Sequence, residues 1–353
     1  MKNFRCQSCG QTILFENTLC ESCGRYLGFL PDIQEMTAVE PEGDKWVALA
    51  ASDHRYRFCK NWESRGCNWL TAPGKDFCLA CQHNRIIPDI SDPRRHSLWQ
   101  KTEQAKRRLF YSLIRLGLPL ENSTEPLVFD FVADTGGASR PMIGHDNGAI
   151  TISLEEADDA AREGNRNALG EPYRTLLGHF RHEIGHYYWD LLVPSGGHLS
   201  SFRELFGDET ADYAGALQRY YQRSVSDWSD GFISAYATSH PWEDFAETFA
   251  HYLHIVDTLE TGRAMGVSLR RANKAKLVVN FDPYRIREVD VLIETWLDLA
   301  FAVNNLNRSM GQPDLYPFVL SPKVAQKIGF VIEIVQGSAH LPEEPNWARA
   351  GAP

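Results

Sequence analysis

The sequence has no cysteine after residue 81 and no run of eighteen or more apolar residues. A membrane-spanning helix needs an apolar run of about that length, so the sequence predicts no membrane span. The first ten residues, MKNFRCQSCG, also lack the apolar stretch and the small-residue cleavage site of a secretory signal. We therefore expect a cytoplasmic protein that has no membrane partner.

Positive charge is scarce, since 36 Lys and Arg face 46 Asp and Glu, for a net charge of -10. The average field of such a chain repels nucleic acid and anionic lipid. Residues 55–115 are the exception, with 13 Lys and Arg against 5 Asp and Glu. This segment could bind a nucleic acid, but it could equally dock on the acidic remainder of the chain, and we favour docking. The sequence does not indicate an oligomeric state.

The eight cysteines form two groups of four with the spacing of metal ligands. The first group is Cys6, Cys9, Cys20 and Cys23, and the second is Cys59, Cys67, Cys78 and Cys81. The two CxxC pairs of the first group can present four thiolates tetrahedrally to one zinc ion, so we predict a structural zinc there. The second group has one CxxC pair and a less regular spacing, and we predict a second structural zinc in it. His54 or His83 could replace one thiolate of the second group. Four disulfides are the alternative, which the lack of a secretion signal disfavours.

The spacing of apolar residues predicts an α+β protein whose second half is mainly helical. Strands are predicted at 127–132 and 149–154, with a loop over 134–148 between them, and residues 31–53 are predicted to be an exposed connector that leads into a short strand. The predicted helices span 98–116, 172–192, 202–221, 242–259, 289–306 and 324–335.

This pattern predicts four parts in the chain. Residues 1–30 form a zinc ribbon, and residues 31–97 form a linker and a second four-cysteine module. Residues 98–336 form the main α+β domain, and residues 337–353 form a flexible tail.

An HExxH motif lies inside the predicted helix over 172–192, at His182, Glu183 and His186. Residues four apart share one face of a helix, so both imidazoles can reach one metal ion. Glu183 is rotated by about 100 degrees and can approach a water molecule on that ion. Zinc would acidify this water and polarise a peptide carbonyl, while the carboxylate takes up the proton.

Two acidic segments compete to supply a third ligand. The first is FRELFGDETADY, with Glu204, Asp208 and Glu209, and the second is AYATSHPWEDFAETFAHYLH, with Glu243 and Glu247. In each segment two carboxylates lie four residues apart and share a helix face. One carboxylate could bind the metal while another supports a histidine ligand from outside the coordination shell. The spacing alone leaves both segments open.

The order HExxH, then tyrosine, six residues and ExFAExF resembles the catalytic domain of anthrax lethal factor and related glutamate-ligand metallopeptidases. The cysteine-rich start combined with RHEIGHYYW, FGDE and HPWEDFAETFAHYLH more closely resembles bacterial zinc-binding metallopeptidases that carry an N-terminal zinc ribbon, and this resemblance covers nearly the whole chain. The two resemblances imply a zincin-like catalytic domain with a small sheet. They also imply one catalytic zinc besides the two structural ones.

The resemblance implies that His182, His186 and Glu243 bind the catalytic zinc and that Glu183 is the general base. The implied activity is hydrolysis of peptide bonds in a peptide or protein substrate. The alternative is a non-enzymatic zinc protein whose ribbons and basic segment bind a protein or nucleic-acid partner. The intact Glu183 disfavours this alternative, because a structural metal needs no base.

Further roles follow from the same resemblance. Tyr236 would stabilise the oxyanion of the transition state, and Glu247 would support a histidine ligand. Asp208 and Glu209 are additional candidates for such support. The linker between the HExxH helix and the third ligand is longer here than in lethal factor. The lethal-factor match therefore supports the role of Tyr236 less than it supports the other roles. In this architecture an edge strand pairs with the extended substrate, and residues 149–154 are the candidate strand. His240, His251 and His254 are expected to be structural.

The choice between the two acidic segments can be tested by mutation. We predict that Glu243→Ala lowers the affinity of the HExxH motif for zinc more than Glu204→Ala does, because only Glu243 would donate an oxygen to the metal. Zinc competition titrations of both variants measure the difference. The reverse order would move the third ligand to the earlier segment.

Overall fold

The computed structural model describes residues 1–120, 126–133, 144–169, 171–222, 228–270 and 277–338. The predicted tail from residue 339 onward and residues 134–143 of the predicted loop lie outside these ranges. The cysteine-rich part is built from short strands, which are β1 (Phe4–Arg5), β2 (Thr12–Ile13), β3 (Tyr26–Leu30), β4 (Glu35–Glu42), β5 (Lys45–Ala48), β6 (Arg55–Phe58) and β7 (Leu70–Thr71). β1 and β2 form a hairpin, and β3 to β7 form one antiparallel sheet in chain order.

The prediction of an exposed connector within residues 31–53 was wrong, whereas the short strand predicted at the end of this segment is present as β5. Most of this segment lies in β4 and β5, and Met36, Ala38 and Val39 are buried. Pro41, Glu42 and Asp44 are exposed at the turn between β4 and β5, where Gly43 adopts a positive φ of 63°. The β3–β4 hairpin also crosses the predicted boundary at residue 30, because it pairs residues that lie on both sides of this position.

A long helix and a second sheet follow. The strands of this sheet are β8 (Asn84–Ile86), β9 (Val128–Val132), β10 (Gly144–Asp146) and β11 (Ala149–Ser153), and the helix is α1 (Pro93–Leu116). The order across the sheet is β10-β11-β9-β8, with β10 antiparallel to β11 and the other pairs parallel. Asp92 caps α1 by accepting a hydrogen bond from the amide of Arg95, and Gly117 ends the helix in the left-handed conformation.

The remainder of the described chain is mainly helical, as expected. Its elements are α2 (Asp159–Leu169), α3 (Leu176–Leu192), α4 (Leu199–Phe206), α5 (Tyr213–Gln222), α6 (Pro241–Ala264), the strands β12 (Ser268–Leu269) and β13 (Leu277–Val278), α7 (Val289–Ser309) and α8 (Pro322–Ser338). No helix of the described ranges is long and apolar enough to cross a membrane. The chain is therefore a mixed helical and sheet protein.

Two helical predictions need correction. The single helix predicted at 202–221 is two helices, α4 and α5, because Gly207 takes a φ of 105° that an α-helix cannot contain. α2 was not predicted at all. Its sequence, DAAREGNRNAL, contains Leu169 as its one large apolar residue, so it does not stand out when recurring large apolar residues are sought.

The closest packing between helices joins α3, which carries the HExxH motif, to α6. A Cβ atom added to Gly185 would lie 2.9 Å from the Cα of Ala246 and 3.2 Å from its carbonyl oxygen. Real Cβ atoms are not found that close to a backbone, so only glycine permits this approach. Buried ion pairs reinforce it, since Arg181 of α3 bonds Asp257 of α6 at 2.7 Å.

We predict that Gly185→Ala destabilises the protein by about 1–3 kcal/mol, because the added methyl group must push α3 and α6 apart. Gly164→Ala is the matched control, since Gly164 is an exposed residue of α2 whose added Cβ would meet nothing within 4 Å. This control should be neutral or stabilising by up to about 1 kcal/mol. Urea unfolding measures both changes, and equal effects would mean that the helices do not need the glycine.

Candidate metal centre

Two helices supply the donors of one compact cluster. His182 and His186 lie one turn apart on α3, and Glu243 lies in the first turn of α6. Oε2 of Glu243 is 2.9 Å from Nε2 of His182 and 3.4 Å from Nε2 of His186, and the two Nε2 atoms are 3.2 Å apart. The three predicted ligand residues therefore lie together, although Glu243 follows His186 by 57 residues along the chain.

These distances suit a zinc ion. Tetrahedral ligands at about 2.0–2.1 Å from zinc lie roughly 3.3 Å from one another, and the observed separations bracket that value. Oε2 of Glu243 is buried and receives no hydrogen bond from the described residues. A buried carboxylate oxygen without a donor is costly, and a metal cation at this point would satisfy it.

The charges around His182 also favour a cation. Burial lowers the pKa of His182, but the carboxylates of Glu243 and Glu247, which lie beside its two ring nitrogens, outweigh burial and raise this pKa well above its usual value. Nδ1 of His182 donates to Oε1 of Glu247 at 2.7 Å, and Oε2 of Glu247 accepts from the Ser234 hydroxyl at 2.6 Å. Glu247 thereby orients the imidazole and leaves Nε2 directed at the cluster, where a metal ion can take the place of a proton.

Glu183 is a buried carboxylate beside the cluster. His179, one helical turn earlier, donates from Nε2 to Oε1 of Glu183 at 3.2 Å. Burial raises the pKa of Glu183, but this hydrogen bond and the neighbouring histidine charges lower it to about 2. Glu183 is therefore ionised at neutral pH and can accept a proton.

Three aromatic residues border the cluster. The ring of Tyr236 lies 5.8 Å from that of His182, and the ring of Trp242 lies 4.4 Å from that of His186. The hydroxyl of Tyr213 donates to Oε1 of Glu243 at 2.5 Å. Burial and the charge of Glu243 raise the pKa of Tyr236 well above 10, so Tyr236 stays protonated and can donate a hydrogen bond.

The edge strand beside the cluster is β10 and not β11, which corrects the prediction for residues 149–154. β11 lies inside the sheet, paired on one side with β10 and on the other with β9. β10 pairs only with β11 among the described strands, and a Cβ added to its Gly144 would lie 3.9 Å from Oε2 of Glu183. The neighbouring His145 stacks toward His186 at 6.3 Å, and burial lowers its pKa to about 4.

Each group of four cysteines is also assembled. In the first group Sγ of Cys6 is 3.7 Å from that of Cys23, and Sγ of Cys9 is 3.6 Å from that of Cys20. Sulfurs bound tetrahedrally to zinc at about 2.3 Å lie roughly 3.8 Å apart. All eight cysteines are free, and each group of four has its sulfurs within 4.8 Å of one another.

The two cysteine groups differ in their surroundings. Cys9 of the first group is exposed, whereas all four cysteines of the second group are buried. Nδ1 of His83 lies 2.8 Å from the carbonyl oxygen of Leu127, and the ring of His54 lies beside that of Tyr56. Neither histidine belongs to the second group, whose four donors are all thiols.

Comparisons with known proteins match most of the chain to two families described by zinc binding. Residues 95–334 match the family described as "Putative zinc-binding metallo-peptidase". The chain belongs to this family. Residues 3–92 match a zinc-ribbon domain. Uncharacterized proteins of Mycobacterium tuberculosis and Mycobacterium bovis are 39% identical to the chain over 343 residues, which is 95% of this chain and 95% of each relative. No solved structure matches the chain.

Two of the predicted supports lie elsewhere in this family member. Asp208 accepts hydrogen bonds from Thr210, and Glu209 forms an ion pair with Arg203. Both carboxylates therefore have other partners among the described residues, and their predicted support of the metal ligands stays a prediction. Glu204, the rival third ligand, is exposed on α4.

The histidines that were expected to be structural all have partners outside the cluster. Nδ1 of His240 accepts from the amide of Trp242 and caps α6. Nδ1 of His251 lies 2.8 Å from the hydroxyl of Tyr316, and Nδ1 of His254 accepts from Arg181 at 2.7 Å.

Sequence reasoning missed Tyr213, His179 and His145. The first two have a local signal in retrospect. His179 precedes Glu183 by four residues, and Tyr213 opens a segment with several aromatic residues. His145 has none, because it lies in a three-residue strand among poor strand formers.

We predict that Glu247→Gln weakens zinc binding at the HExxH motif by about 10–100-fold, because a neutral amide orients His182 less firmly and makes it a weaker base. Competition with a chelating dye measures the affinity. Glu294→Gln, on an exposed residue of α7, is the control and should change nothing. Equal affinities in both variants would contradict the supporting role of Glu247.

Proposed function

We propose that this family member hydrolyses peptide bonds with one zinc ion held by His182, His186 and Glu243 and with Glu183 as the general base. The observation that carries the proposal is the cluster of three donors at zinc-like separations with an ionised carboxylate beside it. Zinc bound there would supply a Lewis acid that polarises the carbonyl and acidifies water. The zincin-like architecture and the likeness to lethal factor are part of this proposal.

Glu183 moves the proton in this mechanism. Its carboxylate accepts the proton of the attacking water and then passes it to the nitrogen of the leaving amine. His179 restricts the orientation of the carboxylate through the bond to Oε1. Oε2 of Glu183 lies toward Gly144 on the edge strand, which is where a substrate backbone would run.

Tyr236 is the proposed donor to the oxyanion. Its phenol stays protonated and its ring lies next to that of His182. A hydroxyl held near the metal can donate to the negative oxygen that develops as the carbonyl is attacked. Tyr213 is engaged with Glu243 and is therefore assigned no oxyanion role in this mechanism.

The substrate is proposed to bind as an additional strand on β10. The exposed edge of a sheet offers backbone donors and acceptors to an extended peptide, with little demand on its sequence. This mode supports a peptide or protein substrate rather than a small metabolite. It also assigns to β10 the role that the sequence suggested for residues 149–154.

The basic segment at 55–115 gives less support to a nucleic-acid partner. Arg55, Arg57 and Arg85 are paired with Glu42, Asp44 and Asp130 respectively. Cations that are paired within the chain release fewer counterions on binding a phosphate backbone. We also propose a cytoplasmic location, where free thiols stay reduced and available to zinc.

We predict that Glu183→Gln retains zinc but lowers hydrolysis by at least about 100-fold, because the amide cannot accept a proton. Cleavage of a fluorogenic peptide library and zinc content should both be measured. Glu204→Gln on the exposed face of α4 is the control with unchanged activity. Activity near the wild-type level in Glu183→Gln would contradict the base role.

A further inference from the structure

The donors of the metal cluster are almost closed to solvent. The side chains of His182, His186 and Glu243 are 12%, 5% and 1% exposed. A substrate carbonyl has to approach the zinc ion that these donors would hold, so the elements that border the cluster control access to it. A bordering element that is weakly held could open and close this access.

Of the bordering helices, α5 is packed least. Only Ala216 of its ten residues is buried, and most of the others are exposed. A helix of this length is marginal in water without tertiary contacts, so a few contacts must hold α5 in place. By contrast, α3 and α6 each bury one long face in the core.

The contacts of α5 converge on the metal cluster. At its first residue, Tyr213 bonds Glu243 and packs its ring 5.1 Å from His240 and 5.8 Å from Trp242. Near its end, the ring of Tyr220 lies 5.5 Å from that of Tyr236. One side of α5 thus rests on the residues that hold or border the metal site, while the opposite side faces solvent.

We propose that α5 is a lid over the metal centre and that the Tyr213–Glu243 hydrogen bond is its latch. The bond is short and its acceptor is ionised, so it is strong for a single contact. One such bond with a few ring contacts can open locally while the rest of the protein stays folded. The purpose of the lid, to admit a peptide, rests on the proposed function; the latch itself is a property of the chain.

Opening would change two parts of the site at once. Lifting Tyr213 uncovers Oε1 of Glu243, and lifting Tyr220 uncovers the ring of Tyr236. A substrate that lies along β10 would then reach Glu183 and Tyr236 together. Because the latch acts on a residue of the metal cluster, an open lid also leaves Glu243 free to adjust its carboxylate.

The test compares Tyr213→Phe with Tyr26→Phe in the full-length protein. The first variant removes the latch hydroxyl and keeps the ring, while the second makes the same change at a half-exposed tyrosine of β3. Hydrogen–deuterium exchange of the amides in 213–222 reports opening of α5. The rate at which EDTA removes the zinc of the HExxH motif, assigned by difference from His182→Ala, reports access to the site.

We expect Tyr213→Phe to raise both rates by about tenfold, with the cysteine-bound zinc ions and the Tyr26→Phe protein unchanged. Unchanged exchange in 213–222 would overturn the latch. Faster exchange with an unchanged rate of zinc removal would overturn the lid, because α5 would then not control access. If the proposed function fails, no variant holds zinc at the HExxH motif, which distinguishes this outcome from the two above. The exchange rates of the amides in 213–222 then test the latch alone.

Discussion

The close contact between Gly185 of α3 and Ala246 of α6 is the constraint on which the part of the chain with the HExxH motif depends. Gly185 lies between His182 and His186, and Ala246 lies between Glu243 and Glu247. The point where the two backbones nearly touch is therefore flanked by all the side chains that would hold and orient a metal ion. A wider helix pair would pull Glu243 away from both imidazoles, because a carboxylate side chain is too short to compensate.

The chain assembles its candidate metal sites in two different ways. Each cysteine group gathers its donors within about 25 residues, so a local hairpin and the metal can fold together. The HExxH cluster instead needs two helices from distant segments, and the hydrophobic core must position them first. α1 connects the two parts, since its Glu103 contacts Cys81 and its Arg115 bonds Glu260 of α6.

Much of the candidate site could be predicted from sequence because its parts are periodic. HExxH and ExFAExF place donors on one face of a helix wherever those helices pack, and resemblance to known peptidases selected Glu243 over Glu204. β10 could not be predicted, because a three-residue strand that contains Gly144 depends on pairing with β11 rather than on propensity. Tyr213 was missed because its role depends on a contact with Glu243, which lies 30 residues away along the chain.

The most direct test of the account is the amount of zinc bound per chain, measured by elemental analysis in the wild type and in a His182→Ala, His186→Ala double variant. The account predicts three zinc ions in the wild type and two in the variant, with the cysteine-bound ions retained. Equal zinc content in the two proteins would contradict it, because the cluster at the contact of α3 and α6 would then hold no metal.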